Sequence, residues 1–249
     1  MGSCISMDRI LQKLDTYLNQ NNSEAALRHL LYWLAEAEAS QDDRSALTLR
    51  NELMGLYRKG GKRAEAIECA EAALGLVVTL GIGHQVGAAT TYLNTATVYK
   101  AFGMAEHALP YYENARKIYE AELPPNDSRL GGLYNNMALA LTDLARFEEA
   151  KRCYLRAIDV MEKVEGGAPE LAVTYLNLAS AAEAELGLVE ADELIADYLR
   201  AAQILLDGHE RRDGAYAFVC EKCASVFGYY GHFLYEKELK ERTRRIYES

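Results

Sequence analysis

Apolar residues return along this chain at intervals of three and four for almost its whole length, with charged residues between them. That spacing marks one face of an α-helix; the strict alternation of a half-buried strand is nowhere sustained. Short breaks interrupt the pattern at Gly60-Gly61, Gly103, Ala145-Arg146, Gly187 and Gly231. Longer ones, "GIGH", "LPPNDS", "EGGAPE" and "DGHERRDG", carry loop chemistry. Two apolar stripes with a short break between them predict two helices packed as an antiparallel hairpin.

The hairpins repeat. Ala66-Ala70-Ala73, Ala108-Tyr112-Ala115 and Ala150-Tyr154-Ala157 share one spacing, with looser copies at Ala26-Leu30-Trp33 and Ala191-Ile195-Tyr198. The leading alanines lie 40, 42, 42 and 41 residues apart. A second signature precedes each: Tyr92-x2-Thr95-Ala96-x2-Tyr99, Tyr134-x2-Met137-Ala138-x2-Leu141 and Tyr175-x2-Leu178-Ala179-x2-Ala182, and more distantly Cys220-x2-Cys223-Ala224-x2-Phe227 and Leu53-Met54-x2-Tyr57. Alanine at such places lets helix axes approach closely. Six hairpins are expected, at about 7–40, 44–82, 86–124, 129–167, 171–208 and 213–249, each burying too little alone and stacking into one continuous core. In the last, Glu236, Lys240 and Thr243 fall on the alanine–aromatic–alanine places, as the polar outer face of a terminal cap requires.

These motifs resemble the tetratricopeptide repeat over nearly the whole chain. The period near 42 and the run "LPPNDSRLGGLYNNMALAL" are similar to the kinesin-light-chain type of that repeat, as is Pro110 between Ala108 and Tyr112. Without the resemblance a proline there would end the helix, at a cost of ~3 kcal/mol. The resemblance implies an all-α, right-handed superhelical solenoid, here one domain over 1–249, whose first helices line a concave groove. Whole kinesin light chains take acidic cargo peptides and carry heptads; this chain is acidic and has no heptads, so a light-chain function is not expected.

Asparagine is a mediocre helix former, yet Asn94, Asn136 and Asn177 each stand two residues before the small residue of a first helix (Ala96, Ala138, Ala179). Asn135 is their neighbour, and Asn51 lies three before Met54. The resemblance implies that this place points into the groove, where an amide can donate to and accept from an extended peptide. Thr90, Thr97, Asp143 and Lys222 are further candidates for the same face. The alternative is that the asparagines only knit neighbouring helices together. On the groove reading, changing the three asparagines to alanine leaves stability nearly intact.

Composition narrows the function. The 249 residues have a formal charge of −10 and a pI near 5.1, which argues against binding nucleic-acid phosphates and favours neutral or basic partners. Five cysteines without regular spacing fit reduced thiols in a cytoplasm rather than a disulfide framework. No run approaches the ~20 apolar residues of a membrane helix. The opening "MGSCIS" fits a myristoylation pattern, with Gly2 as acceptor, Ser6 in place and Cys4 open to a second chain. It is expected to be no anchor, since Arg9 and Lys13 face Asp8, Asp15 and Glu24 where a basic patch would be needed; alternatively it is a leader ahead of a start at Met7.

No catalytic or cofactor motif is present. Cys220-x2-Cys223 has no second pair to complete a zinc site and falls on two packing places. The five histidines are scattered, and "GGKR" from Gly60 reads as a turn rather than a phosphate loop. The basic end "KELKERTRRIY" reads as the last helix complementing its own dipole. The expectation is a non-enzymatic adaptor or scaffold that binds a protein or peptide without cofactor or metal. The alternative is a regulatory sensor of a short signalling peptide, resembling bacterial tetratricopeptide receptors.

Overall fold

The computed structural model describes residues 6–20 and 22–248; Gly2 and Cys4 of the acylation pattern lie outside them. Twelve α-helices and no strand occur among the described residues. The chain divides into two compact units, Met1–Glu122 and Leu123–Ser249. The first holds the hairpins α1 (Met7–Asn19) with α2 (Ser23–Ala39), α3 (Asp43–Lys59) with α4 (Arg63–Thr79), and α5 (Val86–Ala101) with α6 (Ala105–Glu122). The second holds α7 (Ser128–Asp143) with α8 (Phe147–Met161), α9 (Ala168–Leu186) with α10 (Asp192–Gly208), and α11 (Gly214–Tyr229) with α12 (Phe233–Tyr247). The breaks expected inside hairpins are the breaks found.

Four of those turns close with the same bond. The backbone N–H of the fifth residue on reaches back to a carbonyl of the last helical turn: Lys62 to Tyr57, Met104 to Tyr99 and Arg146 to Leu141 at 2.9 Å, and His232 to Phe227 at 2.8 Å. The residue before the donor takes a left-handed backbone: Gly61 (φ 68°), Gly103 (φ 75°), Ala145 (φ 55°) and Gly231 (φ 83°). Positions 61, 103 and 145 are 42 apart, so Ala145 occupies a glycine place. At the other ends, Asp42, Asp127 and Asp213 cap α3, α7 and α11 by accepting from Ser45, Arg129 and Tyr216 backbone N–H groups.

The small residues sit at the seams. Ala66, Ala70, Ala73, Ala108, Ala115, Ala150 and Ala157 are buried, as are Ala96, Ala138 and Ala179 on the facing helices. Tyr112 and Tyr154 fill the aromatic place and are buried. In the looser copies Ala26, Leu30, Ala191 and Ile195 are buried, but Trp33 and Tyr198 only half so; Ala37 and Ala202 take the inward place one turn later. Gly131 also allows a close approach, since a Cβ there would lie 2.5 Å from the Met161 sulfur. Between hairpins, α2 packs on α3 and α4 on α5 in the first unit, and α8 on α9 in the second. Some consecutive first helices meet directly as well: α3 on α5, α7 on α9 and α9 on α11.

Helix α6 runs through Pro110, giving up the bond to the Glu106 carbonyl and continuing on both sides. Cys220 and Cys223 are buried in the α11 packing stripe, and burial pushes the Cys223 thiol up to about 12. The last helix corrects the sequence reading. Its inward residues are Tyr235, Leu239 and Thr243, while Lys240 is exposed. Glu236 is half-buried against Gly228, where any side chain would collide with its carboxylate. The basic end serves ion pairs more than a dipole: Arg244 and Arg245 both hold Glu241, and Arg242 holds Asp207 and Glu238 and donates to the Tyr216 hydroxyl.

A left-handed backbone strains any residue with a Cβ by ~1–2 kcal/mol. Ala145→Gly is therefore expected to stabilise the chain by ~1 kcal/mol, read as a higher urea midpoint with an unchanged slope.

Candidate binding face

The first-helix side is where the asparagines lie, and two pairs of them bond between helices. In the first unit Asn94 of α5 donates to Asn51 Oδ1 of α3 (2.9 Å). Asn51 in turn donates to Thr91 Oγ1 and to the Leu47 carbonyl, both at 3.0 Å. In the second unit Asn177 of α9 donates to Asn135 Oδ1 of α7 (3.0 Å). The two rungs share one rule. The donor stands two residues before its small residue (Ala96, Ala179) and the acceptor three before the residue at the small place (Met54, Ala138). Both asparagines of the 135–136 pair thus have separate work. Asn135 accepts the rung, while Asn136, at the donor place, gives an N–H to the Gly132 carbonyl of its own helix (2.9 Å).

Asn94, Asn136 and Asn177 are half-buried. Each spends one amide N–H as described, which fixes the plane of the amide and leaves a carbonyl oxygen to accept from a ligand. Thr90 and Thr97 are placed differently. Their hydroxyls meet tyrosines of α6, Thr90 with Tyr119 Oη at 2.9 Å and Thr97 with Tyr112 Oη at 3.5 Å, so they serve the hairpin seam. Asp143 is exposed at the end of α7. Lys222 is exposed on α11 with its ammonium 4.2 Å from the Phe218 ring centre. Glu52, beside Asn51, was not singled out in the sequence. Burial, and then the charge of Asp15 on α1, hold its carboxyl above the usual range.

A separate open hollow lies on the α5–α6 hairpin, lined by Tyr99, Glu106, His107, Pro110 and Tyr111. Tyr111 stacks on Tyr99 (5.8 Å between ring centres) and on Tyr92 (6.5 Å), and this aromatic wall flanks the bond that Pro110 gives up. No group of three or more His, Cys, Asp or Glu able to hold a metal occurs among the described residues. No described helix is long and apolar enough to cross a membrane.

Paired helices, small residues at their seams and a 42-residue period define a helical-hairpin repeat protein. The chain belongs to the tetratricopeptide repeat family, whose profile matches residues 44–121 and 129–204. Among similar solved structures, the kinesin-light-chain repeats of Podosopora anserina are 19% identical, with 80% of this chain and 94% of that one covered at a TM-score of 0.55. BtubC (BKLC) from P. vanneervenii is 18% identical, with 84% and 95% covered at 0.56. A Rap protein complexed with Competence and Sporulation Factor is 15% identical, with 95% and 73% covered at 0.55. These likenesses establish a tetratricopeptide fold of the kinesin-light-chain-like kind. No curated protein matches the chain. The family fold is a scaffold for protein–protein interaction.

Asn94→Ala and Asn177→Ala leave a half-buried carbonyl oxygen without its donor, and each is expected to cost ~1 kcal/mol in denaturant unfolding. Asn136→Ala is expected to cost nothing, because it removes only a bond within one helix and improves helix propensity. Equal losses at all three would contradict the rungs.

The raised carboxyl of Glu52 favours the folded state while protonated, and that contribution is lost as pH rises through its folded pKa. Glu52→Gln is therefore expected to melt above the parent near pH 7 and level with it below about pH 4.

Proposed function

We propose that the chain is a non-enzymatic adaptor that binds a partner protein through the first helices of each unit. The observation that carries this is the set of amides at Asn94, Asn136 and Asn177: each is oriented by a bond on its own helix or the neighbouring one and keeps an acceptor for an incoming backbone. Orienting the amides beforehand lowers the ordering cost of binding. Asn135, which accepts the Asn177 rung, and Lys222, exposed on α11, are taken as further members of the second unit's binding face, and Thr90 and Thr97 as fixing the α5–α6 seam of the first. The carboxylates of Asp143, Glu52 and Asp15, with the overall charge of −10, favour a neutral or basic segment. We read residues 1–249 as one solenoid domain, since the turn places 61, 103, 145 and 187 keep a 42-residue period. The four described cysteines are free thiols, which fits a cytoplasmic location. No cofactor, nucleic acid or membrane has a role in this reading.

A regulatory sensor is the second reading. It is favoured by the Rap structure, solved with Competence and Sporulation Factor and matching 95% of this chain. Affinity capture with the intact chain, read by mass spectrometry, separates the two. One dominant protein, bound by the parent and lost from the Asn94→Ala/Asn136→Ala/Asn177→Ala variant, is the expected result; a co-purifying short peptide makes the chain a sensor. Undiminished capture by a triple variant that unfolds at lower denaturant would reduce the asparagines to an internal ladder.

A further inference from the structure

The second unit has another surface that the first-helix face does not explain. Helix α9 ends at Leu186 and α11 at Tyr229, and Glu183 ties these ends together by accepting from the Tyr229 and Tyr230 hydroxyls, both at 2.7 Å. The turns after α9 and α11 therefore lie at one edge. Large apolar side chains crowd that edge and face solvent: Val189 is 83% exposed and Leu188 54% on the first turn, and Tyr229 69%, Phe233 68% and Leu234 88% around the second. Exposed apolar residues scattered singly need no explanation, but a contiguous group marks an interaction site.

The charge around the group is one-sided. Glu183, Glu185, Glu190, Asp192 and Glu193 surround the first turn, and no Lys, Arg or His occurs from residue 180 to 199. On α12 the nearby carboxylates are matched, Glu236 by Lys240 (2.6 Å) and Glu238 by Arg242. The net field at the edge is negative. Three N–H groups of these turns are already used: Gly187 bonds the Glu183 carbonyl, Ala191 that of Gly187, and His232 that of Phe227. What the edge offers is apolar side chains inside a charged rim, which suits a helix that satisfies its own backbone and buries an apolar stripe.

We infer that this turn edge docks a basic amphipathic helix of another protein, with leucine or aromatic residues against Val189, Phe233 and Leu234 and lysine or arginine toward the Glu185–Glu193 rim. It is independent of the first-helix face, so the chain has the means to hold two partners at once.

The test uses the intact chain and two synthetic helices of about 18 residues, one with leucine and lysine at helical spacing, the other with glutamate in place of lysine, read by fluorescence anisotropy. The parent is expected to bind the leucine–lysine helix and not the leucine–glutamate one. Val189→Ser with Leu234→Ser should weaken binding roughly tenfold or more with an unchanged melt, and Asn136→Ala should leave it intact. Should that pair melt lower, Leu188→Ser with Phe233→Ser gives the same reading from the same edge. No binding by the parent, equal binding of both helices, or unaltered binding by the variants overturns the proposal. So does a parent dimer in sedimentation that the variants abolish, since the edge would then be covered by a second copy.

Discussion

Everything in this molecule depends on how closely two helices can approach. The hairpin seams are floored with alanine, and at Gly131 and Gly228 the side chains of Met161 and Glu236 lie directly against the glycine backbone. Only with nothing larger in the seam can the tyrosines at 112 and 154 lie flat against a facing helix and be buried. The same proximity brings first helices of successive hairpins into contact, and that contact lets an asparagine on one reach an asparagine on the next. Packing density and the polar rungs are therefore one constraint seen at two depths.

The rungs bear on a choice that the sequence left open. Asn94 and Asn177 do knit helices together, as the structural alternative held, and the expectation that their loss is harmless to stability gives way to a cost of ~1 kcal/mol each. Yet a rung uses one N–H of the donor amide and leaves its carbonyl. Asn51 is different, since both its N–H groups and its oxygen are engaged within the unit. It belongs wholly to the scaffold, while Asn94 belongs partly to the surface.

Hairpin boundaries, the alanine seams and the turn places were legible because each is set by local chemistry repeated at a fixed period. Rung partners were not. The asparagines align in sequence at 94, 136 and 177, but the bond joins 177 to 135 and 94 to 51, because neighbouring helices are offset by about one residue where they touch. The offset comes from how hairpins stack, and a single repeat does not encode it. Nor were the partners of Thr90 and Thr97 legible: threonine fits a half-exposed face or a seam equally well, and their hydroxyls meet Tyr119 and Tyr112 of α6. In α12, which has no alanine, the inward stripe falls one residue early, at Tyr235 and Leu239, while Phe233 and Leu234 face out.

The shared turn bond has a consequence for how such a chain changes over generations. Tyr57, Tyr99, Leu141 and Phe227 each receive the same backbone donor five residues on, next to a residue of the same handedness. A segment copied or lost from one of these turns to the next begins and ends on equivalent atoms, so each flank meets what it met before. Gene-level duplication or deletion of about 42 residues thus creates no new loop and strands no helix end. The hairpin number is the property most free to drift, while the spacing inside each hairpin stays fixed.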